Sequence, residues 1–319
     1  MKITVIGCGR WGTFLAWYLN EIGHSVTLYG RVSSRNMQAL ISTRKNDVLE
    51  LGENIALSTD ISCVRDSEVT VISIDSQGLR ALFAELSEKK LSDRNFVLCM
   101  KGIEISTGKR LSEIADEFIT DGGSVSVWLG PGHVQEFYSG IPNCMVIDSK
   151  SIEMKEKLVG EFSSDLIRLY YGDDLIGNEI GAAAKNVIGI AAGMLDGKNL
   201  SSLKGSLMAR GAREISRLIS AMGGNELSAY GLCHLGDYEA TVFSKYSHNR
   251  RFGEAFITGE SYTALAEGYY TVAALVRLEL KYNIELPICH TVYEILYEGK
   301  EPTQALSSLF ERSPKKEFY

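Results

Sequence analysis

Residues 231–253, GLCHLGDYEATVFSKYSHNRRFG, place Asp237 and Glu239 just ahead of a stretch, 241–253, that contains no acid. Lys245, His248, Asn249, Arg250 and Arg251 fall inside that stretch. The chain as a whole carries a formal net charge of -7. So dense a set of donors in an acidic protein reads as a local anion site rather than as general basicity. A second chemical group lies upstream. The run Gly181-Ala182-Ala183-Ala184-Lys185-Asn186 sets one ammonium among residues with almost no side-chain bulk. If those small residues are packed, Lys185 is buried and needs a partner. Asp237 is the candidate. A buried lysine beside a carboxylate is either a structural tie or a general acid with a tuned pKa. His24, His234 and His290 read as turn or surface residues.

A third group sits at the N-terminus. Gly7-Cys8-Gly9-Arg10-Trp11-Gly12 follows the apolar strand Lys2–Ile6 and opens a helical pattern over 13–22. The first glycine of such a loop makes a tight turn, the second lets backbone approach a pyrophosphate, and the third lets helix and strand pack closely. The free N–H groups of the helix start then face the phosphates. The next strand, Ser25–Tyr29, is followed by Gly30 and Arg31, with Arg35 close behind, and no acid is placed to bind a ribose 2′-hydroxyl. This leans toward NADPH over NADH.

These groups need elements to hold them. Apolar runs at 69–74, 96–100, 125–128, 145–147 and 166–171 read as further strands. Helical patterns fall between most of them, at 78–88, 108–118 and 152–162. Alternation of this kind implies a doubly wound, mostly parallel α/β sheet. Ligands of such sheets bind beyond the carboxyl ends of the strands. Lys101-Gly102 and Gly130-Pro131-Gly132-His133 are expected there. Asp75, at a third strand end, should turn away from a pyrophosphate or cap the helix that follows. After residue 174 only helices are read, at 175–195, 205–222, 263–282 and 291–297. The expected organisation is a dinucleotide-binding domain over 1–174 and an all-helical substrate-binding and catalytic domain over 175–319. The tail, 313–319, reads as a frayed polar end.

Length and composition suit such a protein. The 319 residues are 45% hydrophobic and 23% charged, ordinary for a globular chain. The acidic balance argues against binding nucleic acid or anionic membrane. Cys8, Cys63, Cys99, Cys144, Cys233 and Cys289 show no metal-ligand spacing, so no metal is expected. A chain of this size needs no disulfide framework, which fits a reducing cytoplasm. No secretory leader is expected. The apolar stretch 176–195 has the length of a membrane span, but Asn178, Glu179, Lys185 and Asn186 interrupt it, so no integral membrane association is expected.

Taken together, the motifs resemble the bacterial-type NAD(P)-dependent glycerol-3-phosphate dehydrogenases over essentially the whole length. The similar segments are the GCGRWGT loop, Lys101-Gly102-Ile103-Glu104 with Thr107-Gly108, Gly130-Pro131, Ala184-Lys185-Asn186-Val187-Ile188, Arg210-Gly211, Gly236-Asp237, Asn249-Arg250-Arg251-Phe252-Gly253 and Glu267-Gly268. The resemblance implies a Rossmann-type N-terminal domain and reversible reduction of dihydroxyacetone phosphate to sn-glycerol 3-phosphate, feeding phospholipid synthesis. It implies that Lys185 is the acid/base and Asp237 its neighbour. Lys101 would touch cofactor and substrate, and Asn186 and Thr241 would line the substrate pocket. Gly130, Gly132, Ser247 and Asn249 would contact substrate, with His248 and Arg250 helping to hold the phosphate. Besides Gly7, Gly9 and Gly12, the residues Arg10, Trp11, Arg31, Val134, His248, Leu265 and Glu267 would contact NADP or NAD.

Three positions depart from the family pattern. Gly132 stands where serine or threonine is common, His248 where arginine is common, and Asp75 where proline is frequent. The first two bear on the substrate pocket. A histidine binds an anion best when protonated, and its ordinary pKa is about 6.5, so phosphate affinity is expected to weaken from pH 6 to 8. Two other readings stay open: a related two-domain reductase of another phosphorylated or carboxylated ketone, and an NAD(P)-binding sensor without turnover. The partner in either enzymatic case is a small anionic molecule, and a homodimer is compatible with the sequence.

Overall fold

The computed structural model of the chain describes residues 1–120, 122–309 and 311; the tail read as frayed lies outside them. Eight strands form one sheet: β1 (Lys2–Ile6), β2 (Ser25–Tyr29), β3 (Ala56–Ser58), β4 (Val69–Ile72), β5 (Asn95–Leu98), β6 (Ser124–Leu129), β7 (Asn143–Ser149) and β8 (Ile167–Tyr171). Their order is β3-β2-β1-β4-β5-β6-β7-β8. Every pairing is parallel except β6 with β7. Strands covered on both faces need apolar residues at successive positions. β4, VTVI, is buried at all of them. Because β1, β2, β4, β5 and β6 run the same way, the loops after Ile6, Tyr29, Ile72, Leu98 and Leu129 open on one edge. The strand order reverses between β1 and β4, where the crevice of a doubly wound sheet lies.

β3 was not legible in the sequence. It has three residues, none of them fully buried, too few for a periodic signal. The helices Arg35–Thr43, Val134–Tyr138, His248–Thr258 and Pro302–Ser308 were also missed, and the strand read over 69–74 stops at Ile72 because Ser73 and Ile74 turn toward the glycine loop.

The sheet ends at Tyr171 and the helix Leu175–Gly197 begins the helical part. This helix is buried on nearly every side. Its small residues permit that: a Cβ on Gly193 would lie 1.9 Å from the Arg250 carbonyl oxygen, so the helix His248–Thr258 lies directly against its backbone. Glu179, which breaks the apolar run, is satisfied by Arg110 Nη1, the Ser112 amide and the Ser112 hydroxyl. That cluster ties the long helix to the helix Leu111–Asp116 beside the sheet. Ala182 packs in the same core cluster as Ile72 and Leu98. The lysine-bearing helix is thereby set across the open edge of the sheet. Among the described residues no helix is long and apolar enough to cross a membrane.

Candidate active site

The glycine loop is clamped between β2 and β4. The Gly7 amide donates to the Tyr29 carbonyl at 2.9 Å and the Ser73 amide to the Ile6 carbonyl at 2.8 Å. Gly7 has φ +114, and a Cβ on Gly12 would lie 1.9 Å from the Gly7 carbonyl oxygen. A Cβ on Gly9 would meet nothing within 4 Å. The helix Arg10–Glu21 starts at Gly9 without a side-chain cap and without an acid in its first turn. Its first N–H groups are therefore open to an anion. A cavity of about 570 Å³ lies over this loop, lined by Gly7, Gly9, Arg10, Trp11, Arg31 and Leu265 among others. The cradle, the uncapped helix start and the cavity fit a dinucleotide. Asp75 caps the turn Ser76–Gly78, its Oδ1 accepting from the Gln77 amide at 3.1 Å.

A second cavity of about 430 Å³ shares Arg10 and Leu265 with the first, so the two form one cleft. Gly132, Lys185, Asp237, Thr241, Ser247, His248, Asn249 and Glu267 line it. Lys185 Nζ lies 2.8 Å from Asp237 Oδ2 and donates to Thr241 Oγ1 at 2.9 Å. Lys101 Nζ donates to the same Asp237 oxygen at 2.7 Å and to the Gly130 carbonyl at 2.6 Å. Two ammoniums thus share one carboxylate whose side chain is 1% exposed. Asp237 comes from a short 3-10 turn, Leu235–Asp237, and Thr241 from the π-helical turn Glu239–Phe243. The change of winding brings both side chains to Lys185. Burial pushes the Lys185 ammonium down to about 8; Asp237 opposes the shift and Lys101 adds to it.

Asparagines order the wall. Asn186 Nδ2 donates to the Lys101 carbonyl at 3.1 Å, Asn249 Nδ2 to Asn186 Oδ1 at 3.0 Å, and the Gly268 amide to Asn249 Oδ1 at 2.9 Å. Ser247 Oγ accepts from the Arg250 amide at 3.2 Å and caps the helix His248–Thr258. Glu267 is raised to about 7, by burial first and then by Asp75.

Several expectations need correction. Arg250 does not line the cleft. Its Nη1 donates to Asp196 Oδ2 at 2.8 Å and to Glu254 Oε2 at 2.9 Å, on the side of the helix turned toward Asp196. The Val134 side chain is buried in the sheet core with Phe14 and Phe137 rather than in the cofactor cavity. His248 Nδ1 pairs with the Tyr262 hydroxyl at 2.7 Å; burial, then Arg251 and Arg10, hold its imidazole below the ordinary value. The pH window expected for it, 6 to 8, therefore moves to the acid side. His234 is wholly buried, bonded to the Gly181 carbonyl and the Tyr238 hydroxyl, and is not a surface residue. Besides Ala240, two cleft residues were given no role, His133, although its strand end was expected there, and Tyr246. Both flank motifs legible in the sequence, the β6 strand end and the donor run, and that proximity was their available signal.

A family model described as NAD-dependent glycerol-3-phosphate dehydrogenase N-terminus matches residues 2–155, and one described as the C-terminus of the same family matches 174–307. The chain is 36% identical over 333 residues to a glycerol-3-phosphate dehydrogenase [NAD(P)+] of Thermoanaerobacter sp. (strain X514), covering 100% of this chain and 99% of that protein. It is 35% identical to the protein of the same name from Chlorobium phaeobacteroides (strain BS1), covering 99% of each. A crystal structure of glycerol-3-phosphate dehydrogenase from Coxiella burnetii superposes with a TM-score of 0.91 at 27% identity, covering 98% of this chain and 99% of that one.

Proposed function

The chain belongs to the NAD-dependent glycerol-3-phosphate dehydrogenase family, and from that premise we propose how this cleft carries out the family's reaction. The protein is an NAD(P)-dependent oxidoreductase that reduces dihydroxyacetone phosphate to sn-glycerol 3-phosphate. Nothing in the comparisons favours a different ketone or a sensor without turnover.

The observation that carries the mechanism is Lys185, buried on Asp237 in the cavity that joins the glycine-loop cavity. The bound reduced nicotinamide supplies the hydride. Lys185 donates its Nζ proton to the substrate oxygen and stabilises the developing charge before transfer. Asp237 holds that ammonium in place and keeps it charged. Lys101 adds a second positive charge beside it. The start of the helix His248–Thr258, with Asn249 and the Ser247 cap, faces the phosphate. The glycine loop, Arg10 and Trp11 hold the dinucleotide.

The lean is toward NADPH: Arg31, Ser34 and Asn36 follow β2 on the cofactor cavity, and residues 30–36 contain no acid. In this reading residues 1–174 bind the dinucleotide and 175–319 complete the substrate site. The small phosphorylated ketone is met in the cytoplasm, and the product serves phospholipid synthesis. The test is NADPH oxidation with dihydroxyacetone phosphate, repeated with NADH. Turnover with both and a higher kcat/KM for NADPH is expected. Turnover with NADH alone would remove the role given to Arg31, and no turnover with either would remove the mechanism.

A further inference from the structure

His133 stands at the turn after β6, between Gly132 and the helix Val134–Tyr138, and lines the cavity that holds Lys185 and Asp237. Its backbone is fixed: its carbonyl accepts from the Glu136 and Phe137 amides, each at 3.1 Å. Its ring lies edge-on to Tyr246, centroids 5.5 Å apart. Its Nε2 atom is buried and makes no hydrogen bond of good geometry among the described residues, the Ala240 carbonyl being the backbone acceptor that faces the ring. A buried polar atom left unpaired is costly, and a protein seldom keeps one without a use for it. Gly132 contributes no side-chain polar atom to this wall. The Phe137 ring fills the space behind it, so that a Cβ there would lie 2.1 Å from a ring carbon.

We propose that His133 is a substrate-recognition residue, its imidazole hydrogen-bonding the hydroxyl on the carbon next to the reacting ketone. The proposal rests on the reduction of dihydroxyacetone phosphate assigned above. Lys185 takes the ketone oxygen and the start of the helix His248–Thr258 faces the phosphate, so the terminal hydroxyl is the substrate group that remains for the wall where His133 stands, beside Thr241, whose Oγ1 already accepts from Lys185. Burial, then Lys185, holds the imidazole down at about 4; Lys101 adds to the shift, while Asp237 and the Ala240 carbonyl oppose it. The ring is therefore neutral at working pH. A phosphate dianion would call for the charged form. A neutral imidazole offers one donor and one acceptor, and a hydroxyl can answer either.

The test compares dihydroxyacetone phosphate with hydroxyacetone phosphate, which lacks that hydroxyl, in the wild type, His133→Phe and His133→Asn. NADPH affinity and melting temperature are measured on each. In His133→Phe, kcat/KM for dihydroxyacetone phosphate should fall about tenfold, the usual size of one lost hydrogen bond, with hydroxyacetone phosphate changed less than about twofold. His133→Asn, which keeps polar atoms, should recover part of the discrimination. Equal losses on both substrates, or unchanged discrimination in His133→Phe, would overturn the proposal. A wild type that reduces neither substrate would instead defeat the assigned reaction itself.

Discussion

Replacing Asp237 with Asn removes the carboxylate bonded to Lys185, the group that most favours its protonated form. With the pair 2.8 Å apart, Coulomb's law at an effective dielectric of about 20 gives about 6 kcal/mol. That is an upper bound, because Lys101 draws on the same oxygen. Half of it, about 3 kcal/mol, corresponds to about 2 pKa units. Losing an opposite charge disfavours the charged form, so the Lys185 pKa falls from about 8 toward about 6. At pH 8 the wild-type lysine is about half protonated and that of the variant about 1%, so kcat/KM for ketone reduction should drop about fifty-fold from protonation alone. At pH 6 the same deficit should shrink to about twofold. The assay is reductive kcat/KM from pH 5.5 to 9 for both proteins, with NADPH titrated by fluorescence to show an intact cofactor cavity. A deficit of equal size at pH 6 and pH 8 would refute the reasoning, since it would mean that Asp237 acts through geometry and not through the charge on Lys185.

Other outcomes follow from the same contacts. Arg250→Ala should act as a stability change, costing up to about 3 kcal/mol by leaving Asp196 with Lys204 and the Ser201 hydroxyl, and should lower the melting temperature by several degrees with KM for dihydroxyacetone phosphate changed little. An unchanged melting temperature with a large rise in KM would return Arg250 to the phosphate. Gly132→Ser meets the Phe137 ring at φ +141 and should cost about 1–3 kcal/mol; thermal unfolding decides it, and an unchanged melting temperature would contradict the clash. For His248, lowered from its ordinary value, the gain of charge occurs below about 6.5. The ratio of KM between wild type and His248→Arg should therefore be flat from pH 7 to 8 and narrow only in more acid solution; a ratio that moves most between pH 7 and 8 would contradict the shift.

What the sequence made legible was whatever periodicity or local turn chemistry encodes. β1, β2 and β4 to β8 are apolar runs, and the glycine loop has a fixed meaning between a strand and a helix. The approach of Asp237 to Lys185, fifty-two positions apart by their numbers, could be inferred because a lysine among alanines has few other ways to be buried. Side-chain direction was less legible. Arg250 and Asn249 are adjacent in the donor run, yet on a helix adjacent residues point about 100° apart. With the helix His248–Thr258 unrecognised, nothing separated the one that faces the cleft from the one that faces Asp196. The same holds for Val134, whose neighbour His133 enters the cavity while Val134 itself enters the core. A run of donors in a sequence therefore names an anion site without naming its members. The members are chosen by which helical face the small residues of Leu175–Gly197 allow to approach, and Gly193 admits the Arg250 backbone so closely that the Arg250 side chain is carried past the cleft.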